Sequence, residues 1–265
     1  MRLTILPLLL LLSSLDFAQA DDRSIPDVVQ LATEEYAPFT STKLKHSGVF
    51  SHIVSEAFLL EGIEVEYAFY PAARSYRLAQ TGKVDGTIPW AHRAEREADF
   101  LYSDPILDVG GEYLFYRKGF EFNWDPNIQD YRTLTSIRIG AIISYNYGEA
   151  FQGAEAKGII QVNRISSLKN LFKMLLNRRI DIVVSKKWVA QYVLQSEFTA
   201  DLIAQLDSSP ETVEPPSYDY LLFSKLRPNA QNLMETFNSG LKELRASGRY
   251  DVILKAFEKD EYIKP

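Results

Sequence analysis

The chain of 265 residues contains no cysteine. Disulfides therefore cannot mark its compartment, no lipoprotein-type N-terminal cysteine can form, and zinc loses its commonest structural ligand. Only three histidines occur, His46, His52 and His92, and their spacing does not match that of metal sites. A basic tract is also missing. The chain has 29 Lys and Arg against 35 Asp and Glu, dispersed along it, for a formal net charge of −6. This argues against nucleic acid as a partner. Beyond the N-terminal segment no apolar run is long enough to cross a bilayer. Ser55 and the other serines lack a nucleophile-elbow pattern, and Gly110-Gly111 is not followed by the Gly-Lys-Ser/Thr of a phosphate loop.

At the start of the chain Arg2 precedes the apolar run Leu3 to Leu12, then Ser13-Ser14-Leu15 and Ala18-Gln19-Ala20. A charged start, a short apolar core and an A-x-A site predict a signal peptide over residues 1–20, with an uncleaved anchor as the alternative. The expected location is the periplasm. The mature length fits one large domain or two lobes of roughly 100 residues each.

The pattern favours two lobes. Gly82-Lys83-Val84-Asp85-Gly86-Thr87-Ile88 and Arg178-Arg179-Ile180-Asp181-Ile182-Val183-Val184 both place a tight turn before an apolar strand with one early aspartate. Around the first copy, residues near Gln30 to Thr33 read as a strand. Val49, Phe50, Ile53, Val54, Ala57 and Phe58 have helical spacing, and Ile63, Val65, Tyr67 and Phe69 alternate as a half-buried strand. Pro71 to Leu78 reads as a helix and Val84 to Ile88 as a strand. Around the second copy, Ile137 to Ile142 is a strand and a helix starts near Tyr147. Gly158 to Val162 is a strand, Ser166 is the expected cap of a helix lined by Leu168, Leu171, Phe172, Leu175 and Leu176, and Ile180 to Val184 is a strand. The predicted class is α/β, with each lobe a mostly parallel sheet flanked by helices.

Two segments are expected to join the lobes: Asp108-Val109-Gly110-Gly111, and Glu214-Pro215-Pro216-Ser217 before Tyr220 to Phe223. Residues 21–110 plus 218–265 would form a discontinuous first lobe and 111–217 the second. Two tail helices, lined by Leu233, Phe237, Leu241 and Leu244 and by Tyr250, Ile253, Leu254 and Phe257, are assigned to the first lobe.

These features resemble a known family. Tyr36-Ala37-Pro38-Phe39, Gly82-Lys83-Val84-Asp85-Gly86, Arg96 followed by Phe100-Leu101-Tyr102-Ser103-Asp104-Pro105, and Leu241 to Gly248-Arg249-Tyr250 are similar in order and spacing to periplasmic solute-binding proteins of family 3. The best-known members bind polar amino acids for ABC importers. The resemblance covers nearly the whole mature chain and implies the type II two-lobed binding-protein fold. It implies that Arg96 clamps a ligand carboxylate, that Tyr36 and Tyr70 pack on the ligand, and that Ser144-Tyr145-Asn146-Tyr147 supplies donors from the other lobe. Such a helix N-terminus also suits an anion on general grounds. Trp90, at a strand exit, and Arg74 join the candidate ligand-binding residues. The chain departs from the family where an acidic residue holds the ligand ammonium, since Lys186 stands there, and Thr33 replaces an early aspartate. Either Glu34 or Glu35 holds the ammonium, or the ligand is another acid, with Lys186, Arg74 and Arg96 suited to a second acidic group.

Each of these residues has a plainer reading. Arg96 has the alternative of a solvated helical arginine paired with Glu97 or Asp99, Arg74 reads equally as a surface residue of its helix, the aromatics as packing, and Lys186 as a surface lysine. Asp85 and Asp181 read as structural rather than as a catalytic pair. The expected function is hinge-closure binding of a small polar, carboxylate-bearing solute, without cofactor or metal, by a monomer. Its partner would be an ABC permease or a membrane sensor. A sensor-only protein and a dehydratase-like enzyme on the same fold are the alternatives. The enzyme would need a buried acid or base with a shifted pKa, for which Glu34 or Glu35 are the candidates.

Overall fold

The computed structural model describes residues 26–125, 130–143, 145–213 and 217–263. The predicted signal peptide, Ser144 and the proline-bearing segment 214–216 lie outside the described residues.

Alternation and helical spacing build two βαβαβ units. The first runs β1 (Val28–Thr33), α1 (Val49–Leu60), β2 (Glu64–Phe69), α2 (Ala72–Gln80) and β3 (Gly86–Ala91), followed by the short strands β4 (Phe100–Tyr102) and β5 (Leu107–Asp108). The chain then passes through Val109-Gly110-Gly111 into β6 (Glu112–Arg117), β7 (Arg138–Ile142), α3 (Glu149–Ala156), β8 (Gln161–Ile165), α4 (Leu168–Leu176) and β9 (Ile182–Lys186). Gly110 has φ +74°, which a side chain would resist. After α5 (Lys187–Glu197), the single turn α6 (Ala200–Ile203) and β10 (Leu206–Thr212), the chain returns as β11 (Tyr218–Ser224) and ends in α7 (Ala230–Ala246) and α8 (Arg249–Glu258).

Two sheets result, ordered β2-β1-β3-β11-β4 with β5 also on β11, and β10-β6-β9-β7-β8. The parallel character expected of both sheets is confined to β1, β2 and β3 and to β7, β8 and β9, the strands joined by helical crossovers. β11 runs antiparallel to β3, β4 and β5, and β6 antiparallel to β9 and β10. These strands enter their sheets directly from the crossings between the lobes, without a helix to turn them round.

Several boundaries differ from the sequence reading, each for a local reason. β3 and β9 start two residues later than expected, because the aspartates act as clamps at the strand entries. The N–H of Asp85 donates to the Gln30 carbonyl and that of Gln30 to Asp85 Oδ2, both at 2.9 Å. The N–H of Asp181 donates to the Arg138 carbonyl at 2.8 Å and that of Arg138 to Asp181 Oδ2 at 3.1 Å. Arg227 Nε (2.8 Å) and Arg138 Nε (2.9 Å) complete the two clamps. Bonds from Arg138 hold the Asp181 carboxyl below its ordinary range. β8 starts at Gln161 rather than Gly158, since the N–H groups of Gly158 and Ile159 turn back to the carbonyls of Glu155 and Ala154 and close α3. Ser167, not Ser166, caps α4, its Oγ accepting the Asn170 N–H at 3.2 Å.

The first core gathers α1, α7 and α8 on the first sheet, with Phe50, Phe58, Phe223 and Phe237 fully buried. The second sheet is covered on its two faces, by α3 with Tyr147 and Phe151 and by α4 and α5 with Phe172 and Leu175. The C-terminal turn is tied to α1. The Tyr262 hydroxyl lies 2.6 Å from His52 Nδ1, the Lys45 N–H donates to the Tyr262 carbonyl at 2.9 Å, and His46 stacks flat on His52 at 3.8 Å.

α7 crosses α1 where Gly240 has no side chain. A Cβ there would lie 2.0 Å from the Ala57 carbonyl oxygen. Gly240→Ala is expected to lower unfolding free energy by at least about 1–3 kcal/mol in urea titrations. Gly153→Ala in α3, where a Cβ meets nothing within 4 Å, is expected to raise it by up to about 1 kcal/mol through helix propensity. Equal responses would remove close backbone approach as the reason for Gly240.

Candidate functional site

The C-terminal ends of the central strands of both lobes face one another, as cleft residues of open α/β sheets do. Between them is a cavity of about 230 Å³, lined from the first lobe by Glu35, Tyr36 and Ala37, by Glu112 at the crossing, and from the second lobe mainly by Ile142, Tyr145, Tyr147, Ser166, Ser185, Lys186, Val189 and Tyr192. A space this small admits only a small molecule. The lobes touch across it, with the Tyr36 and Tyr145 rings edge to face at 6.1 Å.

Tyr36, Tyr145, Tyr147 and Lys186, all singled out from the sequence, come together on the cavity wall. Tyr36 leaves β1 in a turn closed by Tyr36 N–H to Thr40 carbonyl (2.7 Å) and Thr40 N–H to Tyr36 carbonyl (3.0 Å). Burial, together with Tyr145, Glu112, Asp219 and Glu34, holds its phenol firmly protonated. Burial and Glu34 act likewise on Tyr145. The cavity thus offers neutral hydroxyl donors. Tyr147 is largely a core residue, 2% exposed, whose hydroxyl oxygen accepts the Ile142 N–H at 2.8 Å. The exposed Asn146 turns its Oδ1 to the Gly148 N–H at 2.8 Å, an Asx turn before α3.

The remaining candidates stand on the first lobe outside the cavity wall. Arg96 donates from Nη1 to the Ala91 carbonyl at 2.8 Å and lies over the Trp90 ring at 4.8 Å. Trp90 Nε1 in turn donates to Thr87 Oγ1 at 3.0 Å. The exposed Arg74 lies over the Tyr70 ring at 4.3 Å. Thr33 is buried and donates to the Ile88 carbonyl at 2.9 Å, bracing the sheet under the cleft.

Lys186 lines the cavity and is not a surface lysine. Its side chain is 14% exposed, its Nζ donates to the Gly110 carbonyl at the crossing (2.8 Å) and stands 4.0 Å from Glu112 Oε1. Its charge also opposes the upward push of burial on the Asp219 carboxyl. Asp219, on β11 opposite Ala91, and Glu112, on β6 opposite Lys186, were not picked out from the sequence. The available signal was a single acidic residue in the apolar run of each strand that follows a crossing. Burial and the neighbouring Asp219 push Glu34 up to about 7. Burial pushes Asp219 up to about 6 against the pull of Lys186 and Arg96. Glu35, by contrast, sits at the rim with Ser41 and Thr42 donating to it, and those bonds outweigh its partial burial and lower it.

The family model for bacterial extracellular solute-binding proteins, family 3, matches residues 29–259. The chain belongs to this family. No curated protein matches it by sequence. Among solved structures, an ancestral arginine-binding protein bound to arginine is 19% identical (TM-score 0.70; 88% of this chain and 99% of that one). The GluR0 ligand-binding core from Nostoc punctiforme in complex with L-glutamate is 19% identical (TM-score 0.67; 89% and 100%). A histidine kinase sensor domain with similarity to periplasmic binding proteins is 13% identical (TM-score 0.71; 89% and 97%). At these identities the likeness is one of fold, and this solute-binding protein shares the two-lobed architecture of all three.

A carboxyl whose native pKa lies above its unfolded value binds its proton more tightly when folded. Glu34 therefore lowers stability as pH rises from about 4.5 towards 7. Glu34→Gln is expected to leave the melting temperature near the wild-type value at pH 4 and to raise it at pH 8, read by calorimetry across pH. A difference that does not change with pH would contradict the assignment.

Proposed function

We propose that this protein traps a small amino-acid-type solute, bearing an ammonium and a carboxylate, between its lobes by hinge closure. One observation carries the reading. Glu112 lines the cavity, and Glu34 and Asp219 act with it on the buried Tyr36 phenol of the cavity wall, while Lys186 is engaged by the Gly110 carbonyl and Arg96 by that of Ala91. Two of those carboxyls are pushed upward, Glu34 by burial and the neighbouring Asp219, and Asp219 by burial against the pull of Lys186 and Arg96. A solute ammonium placed there would relieve both desolvation and repulsion. Lys186 then acts as an internal counter-charge rather than as a receptor for a second acid, which moves the reading from dicarboxylates toward amino acids.

In this reading Arg96 swings from the Ala91 carbonyl to clamp the solute carboxylate, and Tyr36 and Tyr145 close over it from opposite lobes. Tyr70, Arg74 and Trp90 form the first-lobe rim, and the turn holding Asn146 and Tyr147 supports the second-lobe wall. The family and the N-terminal export pattern favour the periplasm. The partner is an ABC permease or a membrane sensor. The likeness to arginine- and glutamate-bound proteins supports amino-acid-type ligands, and the likeness to a kinase sensor domain supports signalling as an outlet.

Thermal unfolding against a library of amino acids, dicarboxylates, amines and small peptides tests the class. A true solute at a hundred times its dissociation constant adds about 2.7 kcal/mol. For that solute, Arg96→Ala is expected to weaken binding at least tenfold by calorimetry, as loss of a charge-assisted pair of about 1.5–3 kcal/mol requires. Asp219→Asn is expected to weaken solutes with an ammonium and to spare simple acids. Shifts confined to dicarboxylates would overturn the reading. The raised carboxyl of Glu34 is also the group a catalytic alternative would use. Recovery of the solute unchanged after long incubation would end that alternative.

A further inference from the structure

A second contact joins the lobes outside the cleft. α5 belongs to the second lobe, where Ala190 and Leu194 are buried with Leu171, Phe172 and Leu175. Its other side lies on the first lobe. Trp188, Val189 and Tyr192 pack against the first core, and the Trp188 ring stands 4.8 Å from that of Phe257 on α8. The receiving surface is itself fixed. Phe257 is held by Phe39 at 6.1 Å and by Tyr262 at 6.2 Å, and Tyr262 is tied to His52 and to the Lys45 N–H. Pro38, Leu44 and Asp260 complete the small groove around Trp188.

The same helix lines the cleft through Val189, Tyr192 and Val193. It starts at Lys187, directly after the lysine bonded to the Gly110 carbonyl. One rigid element therefore touches the crossing, the cleft and the far lobe. We infer that the seating of Trp188 against Phe257 is a solute-independent latch that holds the lobes together and so sets the apparent affinity of the cleft. The affinity part of this inference rests on the solute-binding reading above, and the shape of the solute-free protein does not. A contact made in the closed arrangement favours closure. Apparent affinity scales with the fraction of molecules in the competent arrangement, so losing the latch costs affinity without removing any group that lines the cleft.

The test uses Trp188→Ala on one lobe and Phe257→Leu on the other, each in the full mature chain and checked for a cooperative melt. Small-angle X-ray scattering of the solute-free proteins is expected to give a larger radius of gyration for both variants than for the wild type. With whichever amino acid the thermal screen identifies, both variants are expected to bind up to about tenfold more weakly, equivalent to about 1.4 kcal/mol. An unchanged radius of gyration in both folded variants would overturn the latch, whether or not any solute has been found. Tighter binding by the variants would overturn it too, since the contact would then oppose closure. If the screen finds no amino acid while scattering detects opening, the solute reading fails and the latch stands.

Discussion

The molecule depends on one strand arriving from far away in the chain. β11 lies between β3 and β4 and also pairs with β5, so the first sheet is incomplete without residues 218–224. The strand puts Leu221 and Phe223 into the first core and Leu222 against Ala79 and Phe100 on the opposite face. It also carries Asp219, directly beyond the second crossing, within electrostatic reach of Lys186 and Arg96. Because strand side chains alternate between faces, the register that buries Leu221 and Phe223 places Asp219 on their side of the sheet, where burial raises its carboxyl. Core packing and site electrostatics are thus set by the same pairing.

The cavity has Glu112 and Lys186 beside the crossing between the lobes. Glu112 opens β6 and Lys186 closes β9, and the two residues are paired partners in the second sheet. The lysine reaches back to the Gly110 carbonyl, so a side chain of the second lobe braces the crossing itself. Asp219 and Glu34 approach from the first sheet. Glu112 stands two residues from Gly110 and Lys186 one hydrogen bond from it, so these two groups are tied directly to the crossing.

Much of the fold was legible in the sequence because many elements bury one face only. The Val49 to Phe58 spacing and the Ile63 to Phe69 alternation led directly to α1 and β2. Asp85 and Asp181, at matching places in the two units, fill matching backbone clamps. α5 left no such trace. Residues 188–190 and 192–194 are apolar almost all the way round, because one side faces its own lobe and the other faces the cleft and the first lobe. The site was legible in part. Tyr36 and Tyr145 were marked by motif and position, and Lys186 by its departure from the family. Asp219 and Glu112 were hidden because nothing local distinguishes a buried acid in a strand from an outward-facing one. Their meaning comes from bringing residues 34, 112, 186 and 219 to one point.

The strand order also dictates a sequence of assembly. Residues 112–212 contain all of the second sheet, so that half can complete its pairing from contiguous chain. The first half must hold β1 to β5 in waiting, with the edges of β3 and β4 open, until a segment more than a hundred residues later is available. Long-range pairings of this kind are slow to form and leave strand edges exposed meanwhile. A chain that emerges N-terminus first would therefore show its unfinished edge for as long as the rest of it takes to appear. The half assembled last is the one whose sheet began first.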